Sequence, residues 1–133
     1  MYVIKEHSRG LWILEEEGQS VLLKDCLKFG LGKTERIWLF QTLQDFVAEI
    51  QNERPVDGFI DEGVIKRLEI QKETEGLNIW EVRDPGRAGR IIFIREDPRA
   101  IIVAAVDKGR GSHSQAVRRG VKRWKDYLKE RAK

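Results

Sequence analysis

The sequence predicts an α+β fold: a small antiparallel sheet of three to five strands, with an N-terminal helical pair and a C-terminal basic helix packed on it. Three observations lead there. Strand-like runs crowd between Asn78 and Val106. Helical apolar patterns lie on either side of that block. The links between the last three strand-like runs are short, which favours antiparallel neighbours, since a parallel pair needs a long crossover. At 133 residues the chain has room for one ordinary domain, read as spanning 1–133.

Leu11 to Glu16 reads as a strand, Leu-Trp-Ile-Leu running into a charged end. Residues 1–6 are either its partner or a loose lead-in. Ser20 is a candidate N-cap for a short helix through Phe29, with Leu22, Leu23, Cys26 and Leu27 on the inner side. After the break at Gly30 and Gly32, Thr34 is a candidate cap for a longer helix to about Asn52. Its apolar positions Ile37, Phe40, Leu43, Val47 and Ile50 form one stripe, widened by Leu39 and Phe46. Arg54 to Glu62 reads as a loop, Val64 to Leu68 as a helical turn or a strand, and Lys72 to Gly76 as a turn.

Asn78 to Arg83 alternates apolar and polar residues, and Asp84-Pro85-Gly86 ends it. Arg90 to Ile94 is the next strand. Ile101 to Val106 is apolar throughout, as a strand covered on both faces would be. Ser114 is a candidate cap for a final helix from Gln115 to about Arg131. Val117, Val121, Trp124 and Leu128 face the core, while Arg118, Arg119, Lys122, Arg123, Lys125 and Lys129 fill its other faces.

Composition excludes several classes. No run approaches the roughly 20 apolar residues that a membrane span requires, and the first ten residues do not read as a signal peptide. The lone Cys26 fits a reducing, cytoplasmic setting and reads as a core filler. No Cys/His/Asp spacing implies a metal, and no cofactor is expected. Charge is unevenly spread: the net is −5 over residues 1–80 but +8 over 108–133. A block of one sign points to a polyanion or an acidic protein as partner, or to a solvated helix face.

Four ordered segments carry a resemblance. Leu77-Asn-Ile-Trp-Glu-Val-Arg83 resembles the "glwElR" strand of the phage-derived HigB-like toxins, the killer-protein group of the RelE/ParE superfamily. Gly89-Arg-Ile-Ile-Phe-Ile94 resembles their "gyRvlyf" strand. Ile101-Ile-Val-Ala-Ala-Val-Asp-Lys108 resembles "ivllhgFvKK", and Ala116 to Leu128 resembles the closing helix. The match covers about residues 77–128, with only an outline N-terminal to it. The resemblance implies the toxin of a type II toxin–antitoxin pair, held in check by a cognate antitoxin of helix-turn-helix type. It further implies metal-independent cleavage of mRNA on the ribosome. ParE relatives share the fold but inhibit gyrase, so fold alone does not fix the target. A non-catalytic RNA- or protein-binding module is the third reading.

Cleaving RNA without metal requires a proton taken from the attacking 2′-hydroxyl, charge offset at the phosphoryl oxygens, and a proton given to the departing 5′-oxygen. The resemblance assigns Arg90 to the scissile phosphate, with an ion pair to Glu81 or Asp107 as the structural alternative. It assigns Lys108 to charge stabilisation or proton transfer. Gly109 stands where the family has a second Lys, and Arg110 is the candidate replacement, completing a catalytic set of Arg90, Lys108 and Arg110. Arg83, Arg87, His113, Arg119, Lys122 and Tyr127 are candidate substrate-binding residues. Imidazole exchanges protons near neutrality, and His113 is the histidine nearest this set. For Tyr127, packing against the core competes with stacking on a base.

Overall fold

The structure, a computed structural model, describes residues 1–69 and 76–132. The turn expected over 72–76 therefore lies, Gly76 apart, outside the described residues. The elements run β1 (Tyr2–Ser8), β2 (Leu11–Glu16), β3 (Gln19–Ser20), α1 (Val21–Lys28), α2 (Lys33–Gln51), α3 (Asp57–Asp61), β4 (Ile65–Arg67), β5 (Ile79–Arg83), β6 (Gly89–Glu96), β7 (Arg99–Asp107) and α4 (His113–Arg131).

The fold is α+β, but the sheet is neither small nor purely antiparallel. Among the described residues it has seven strands, in the order β1-β2-β7-β6-β5-β4, with β3 on β2. The expected meander is present: β5, β6 and β7 pair antiparallel. Two features exceed the expectation. Residues 2–8 form a true partner strand, paired antiparallel with β2 across a turn in which Gly10 takes φ +81°. In addition, β2 joins β7 in parallel, over Leu11↔Ala100 to Ile13↔Ile102. Most of the chain separates those two strands, so this pairing is a long-range crossover that no short-range pattern announces.

The helices do not share one face, and the N-terminal ones do not form a pair that packs on the sheet together. α2 packs on β5, β6 and β7, while α1 packs on β2 and β7. Sheet residues Leu11, Val82, Ile91, Phe93 and Ile102 meet Leu39, Leu43 and Phe46 of α2 in one core. Ile79, Ile92, Ile101, Val103 and Val106 meet Val117, Val121 and Trp124 of α4 in the other. Central strands covered on both sides explain why residues 91–94 of β6 and 100–106 of β7 are apolar without interruption. α4 approaches β7 closely at Gly120, where a Cβ would stand 2.8 Å from Val103 Cγ2.

Several boundaries and faces move. Ser20 does cap α1, its Oγ accepting from Leu23 N at 3.4 Å. The inner side of α1, however, is Val21, Leu22, Asp25 and Cys26, whereas Leu23 and Leu27 are exposed. α2 is capped by Gly32, without a side-chain bond, and buries Leu39, Leu43, Phe46 and Val47 while Ile37 is exposed. The loop expected at 54–62 contains α3, and β4 resolves the ambiguity at 64–68 as a strand. Ser112, not Ser114, caps α4, with Oγ accepting from Gln115 N at 3.2 Å. Leu128 is exposed, and Tyr127 and Arg123 are buried in its stead.

Asp25 explains how α1 docks. Past Ile102, β7 parts from β2 and its backbone needs other partners. Asp25, 1% exposed, accepts from Ala105 N at 3.0 Å. Arg123 then binds Asp25 through both carboxylate oxygens at 2.9 Å and donates to Val103 O. Arg119 donates to Ala105 O at 3.2 Å and to Asp25 at 3.3 Å. A buried carboxylate with two arginines thus closes the open side of β7 and ties α1 to α4.

Cys26 is buried, and burial pushes its thiol up to about 11. At neutral pH it is therefore protonated and shielded, which makes it a poor nucleophile. Thiol titration with an aromatic disulfide reagent is expected to detect no reactive group in the native protein and one after unfolding in denaturant.

Candidate functional site

The site grows from the register of β5 and β6. Arg83 stands opposite Arg90 and Glu81 opposite Ile92. Alternation along each strand puts Ile79, Glu81 and Arg83 on one face of β5, and Arg90, Ile92 and Ile94 on one face of β6. Ile79 and Ile92 mark that face as the α4 side. The sheet therefore delivers a carboxylate and a guanidinium, both nearly solvent-free, beneath the start of α4.

Glu81 is 2% exposed and Arg90 6%. Arg90 Nε lies 3.1 Å from Glu81 Oε2 as an ion pair, and Nη1 donates to the carbonyls of Arg87 and Gly89, each at 2.7 Å. Of the two readings of Arg90, the ion pair is the one the geometry displays. Burial pulls its pKa below the ordinary guanidinium value and Glu81 opposes the fall. Glu81 Oε2 has no hydrogen-bond donor among the described residues. On the other oxygen, Oε1, Glu81 meets His113 Nε2 at 3.0 Å. A carboxylate accepts only, so Nε2 carries a proton, and in the neutral ring Nδ1 is then the acceptor nitrogen.

The connection from β7 into α4 brings His113 to that position. Asp107 O accepts from the amides of Arg110 and Gly111, both at 2.9 Å, and Asp107 Oδ1 accepts from Gly109 N at 2.8 Å. Gly109 is thus part of a tight turn rather than a vacant lysine position. At Gly111 a Cβ would stand 2.9 Å from Phe29 Cδ1, which accounts for the small residue there. Gly89 is likewise confined: its amide donates to Glu35 Oε1 at 2.8 Å and a Cβ would meet Leu31 at 2.6 Å.

The remaining predicted residues scatter. Lys108 is exposed at the exit of β7, its amide bonded to Ala88 O at 2.9 Å. Arg87 is exposed on the β5–β6 turn, with Nε 3.3 Å from Asp84. Arg83 Nε donates to Gly63 O at 2.9 Å. Arg110 lies over the backbone at Gly30, between α1 and α2. Arg119 and Lys122 occupy the other side of α4, facing α1. Tyr127 is buried, stacked on Trp124 with ring centroids 5.2 Å apart, so packing accounts for it. The structure therefore joins Arg90 with His113 through Glu81, and does not gather Arg110, Arg119, Lys122 and Tyr127 into the same pocket.

Among the described residues no three His, Cys, Asp or Glu side chains gather as a metal site would require, and no helix is long and apolar enough to cross a membrane. A separate groove of about 500 Å³ runs between α2 and the β1–β2 hairpin, lined by His7, Ile13, Leu22, Leu23, Ile37 and Phe40 among others. Comparison with models of protein families, with curated proteins and with solved structures finds no significant match.

Proposed function

We propose that this chain cuts RNA without a metal ion, as the toxin of a type II toxin–antitoxin pair acting on mRNA at the ribosome in the cytoplasm. The observation that carries the reading is the buried Glu81 held between Arg90 and His113, with the second imidazole nitrogen left over. In this scheme His113 Nδ1 takes the proton from the 2′-hydroxyl as its oxygen attacks the adjacent phosphorus. The departing 5′-oxygen takes a proton from solvent water, the imidazolium returns the one it accepted to solvent, and the strand ends in a 2′,3′-cyclic phosphate. Glu81 sets the ring's orientation and balances the imidazolium that forms. Arg90 acts as a positioning residue that holds Glu81. Lys108, exposed and with no ion pair to a described residue, offsets charge on the phosphoryl oxygens, and Arg87 flanks it.

A second reading, a toxin that binds gyrase and cuts nothing, is favoured by one observation: Arg90 is buried, with Nε and Nη1 engaged by Glu81 and two backbone carbonyls of the protein itself. Induction in cells separates the two. The first reading expects growth arrest with new mRNA ends inside reading frames and supercoiling unchanged. Arrest with intact mRNA and relaxed plasmids would favour the second. For the antitoxin, an amphipathic segment fits the apolar groove: Leu23 and Ile37 are exposed at its mouth, while Arg36 and the nearby Lys33 favour an acidic partner.

A further inference from the structure

A second cationic feature lies outside the Glu81–His113 site. The cleft between α1 and α4 encloses about 290 Å³, and its walls are Lys24, Lys28 and Phe29 on one side and Arg119, Lys122 and Arg123 on the other. Three of these cations are matched. Lys24 Nζ is 2.8 Å from Glu16, Lys122 Nζ is 2.7 Å from Asp126, and Arg123 is bound to both oxygens of Asp25. Lys28 meets no carboxylate among the described residues; its Nζ sits 5.5 Å from the Phe29 ring centroid. Arg119 only shares Asp25, and its guanidinium lies 4.1 Å from that same ring centroid. Two incompletely offset positive charges thus flank one aromatic ring, and one of them is fixed in place by Ala105 O and Asp25.

We propose that this cleft binds a backbone phosphate of a single-stranded polynucleotide, the same strand that reaches the Glu81–His113 site; in this the inference rests on the RNA reading above. Arg119 is six residues along α4 from His113, about 9 Å of helix rise and about 120° around its axis, so a strand reaching both sites wraps the first turns of α4 over several nucleotides. A rigid guanidinium suits paired phosphate oxygens, and Lys28 adds a point charge. An acidic protein is the poorer fit, because none of the exposed large apolar side chains among the described residues lines this cleft, whereas Leu23 and Ile37 line the separate groove beside α2.

The test is fluorescence anisotropy on the purified full chain with a labelled 2′-O-methyl oligouridylate, whose blocked 2′-oxygen prevents cleavage. Lys28→Glu with Lys122→Glu, both exposed positions, is expected to weaken binding at least about tenfold at low salt. The slope of log affinity against log salt should become shallower by about 0.7, the loss of one phosphate contact on a single strand. The melting temperature should hold, and Lys28→Gln alone should give a smaller loss. Unchanged affinity and slope in the double variant would overturn the proposal, as would polyglutamate binding the wild-type chain as tightly as the oligomer does. Because the probe cannot be cut, a failed cleavage reading leaves this binding result standing, and a failed cleft leaves cleavage by His113 standing.

Discussion

Asp25→Ala is expected to destabilise the protein by about 3–5 kcal/mol, because it strands two arginines and one backbone amide in the interior. Asp25 is 1% exposed and the Arg123 side chain 7%. Without the carboxylate, Arg123 keeps only Val103 O, and Ala105 N loses its acceptor where α1 shuts out water. For a chain of this length that loss lowers the melting temperature by roughly 10–20 °C. Asp25→Asn keeps an acceptor for Ala105 N but removes the charge, so it should recover part of the loss and no more. Thermal unfolding followed by circular dichroism reads both. A drop below about 1 kcal/mol for Asp25→Ala would mean that α1 is held by its apolar side alone.

The second large effect is on chemistry. His113→Ala is expected to lower RNA cleavage by about 10²–10⁴-fold, the usual worth of a positioned acid–base group. Glu81→Gln keeps the shape of the side chain but cannot balance an imidazolium, and it should lower cleavage by a comparable factor. His113→Ala should keep its melting temperature within a few degrees, since His113 is partly exposed, whereas Glu81→Gln should lower it, since the buried Arg90 loses its counter-charge. Arg90→Ala, like Glu81→Gln and unlike His113→Ala, is expected to lower stability as well as rate, by leaving Glu81 buried without its counter-charge.

What could be read in the sequence was local. The strand from Leu11, the meander from Asn78 to Val106, the capping Ser20 and the basic final helix follow from period, turn residues and short links, all of which act over a few residues. The parallel contact between β2 and β7 does not, since it depends on where a distant segment comes to rest. Charged residues inside elements were the other blind spot. Asp25 sits in an apolar run and Arg123 in a basic one, and only their burial together shows that they complete one ion pair. Glu81 carried a signal, a carboxylate between Trp80 and Val82 in a strand rich in apolar side chains, but its second contact, to His113, depends on how the turn after Asp107 delivers the helix. The positive charge of residues 108–133 reads in the sequence as one block; the helix's own periodicity divides the candidate residues within it, His113 facing β5 and β6 while Arg119 and Lys122 face α1.

The most direct measurement is the chemistry of the ends left on mRNA when the purified chain acts on translating ribosomes. Transfer of the 2′-hydroxyl proton to His113 predicts 5′-hydroxyl ends opposite 2′,3′-cyclic phosphates, lost in Glu81→Gln and His113→Ala. Intact mRNA, or ends bearing 5′-phosphate and 3′-hydroxyl, would contradict it.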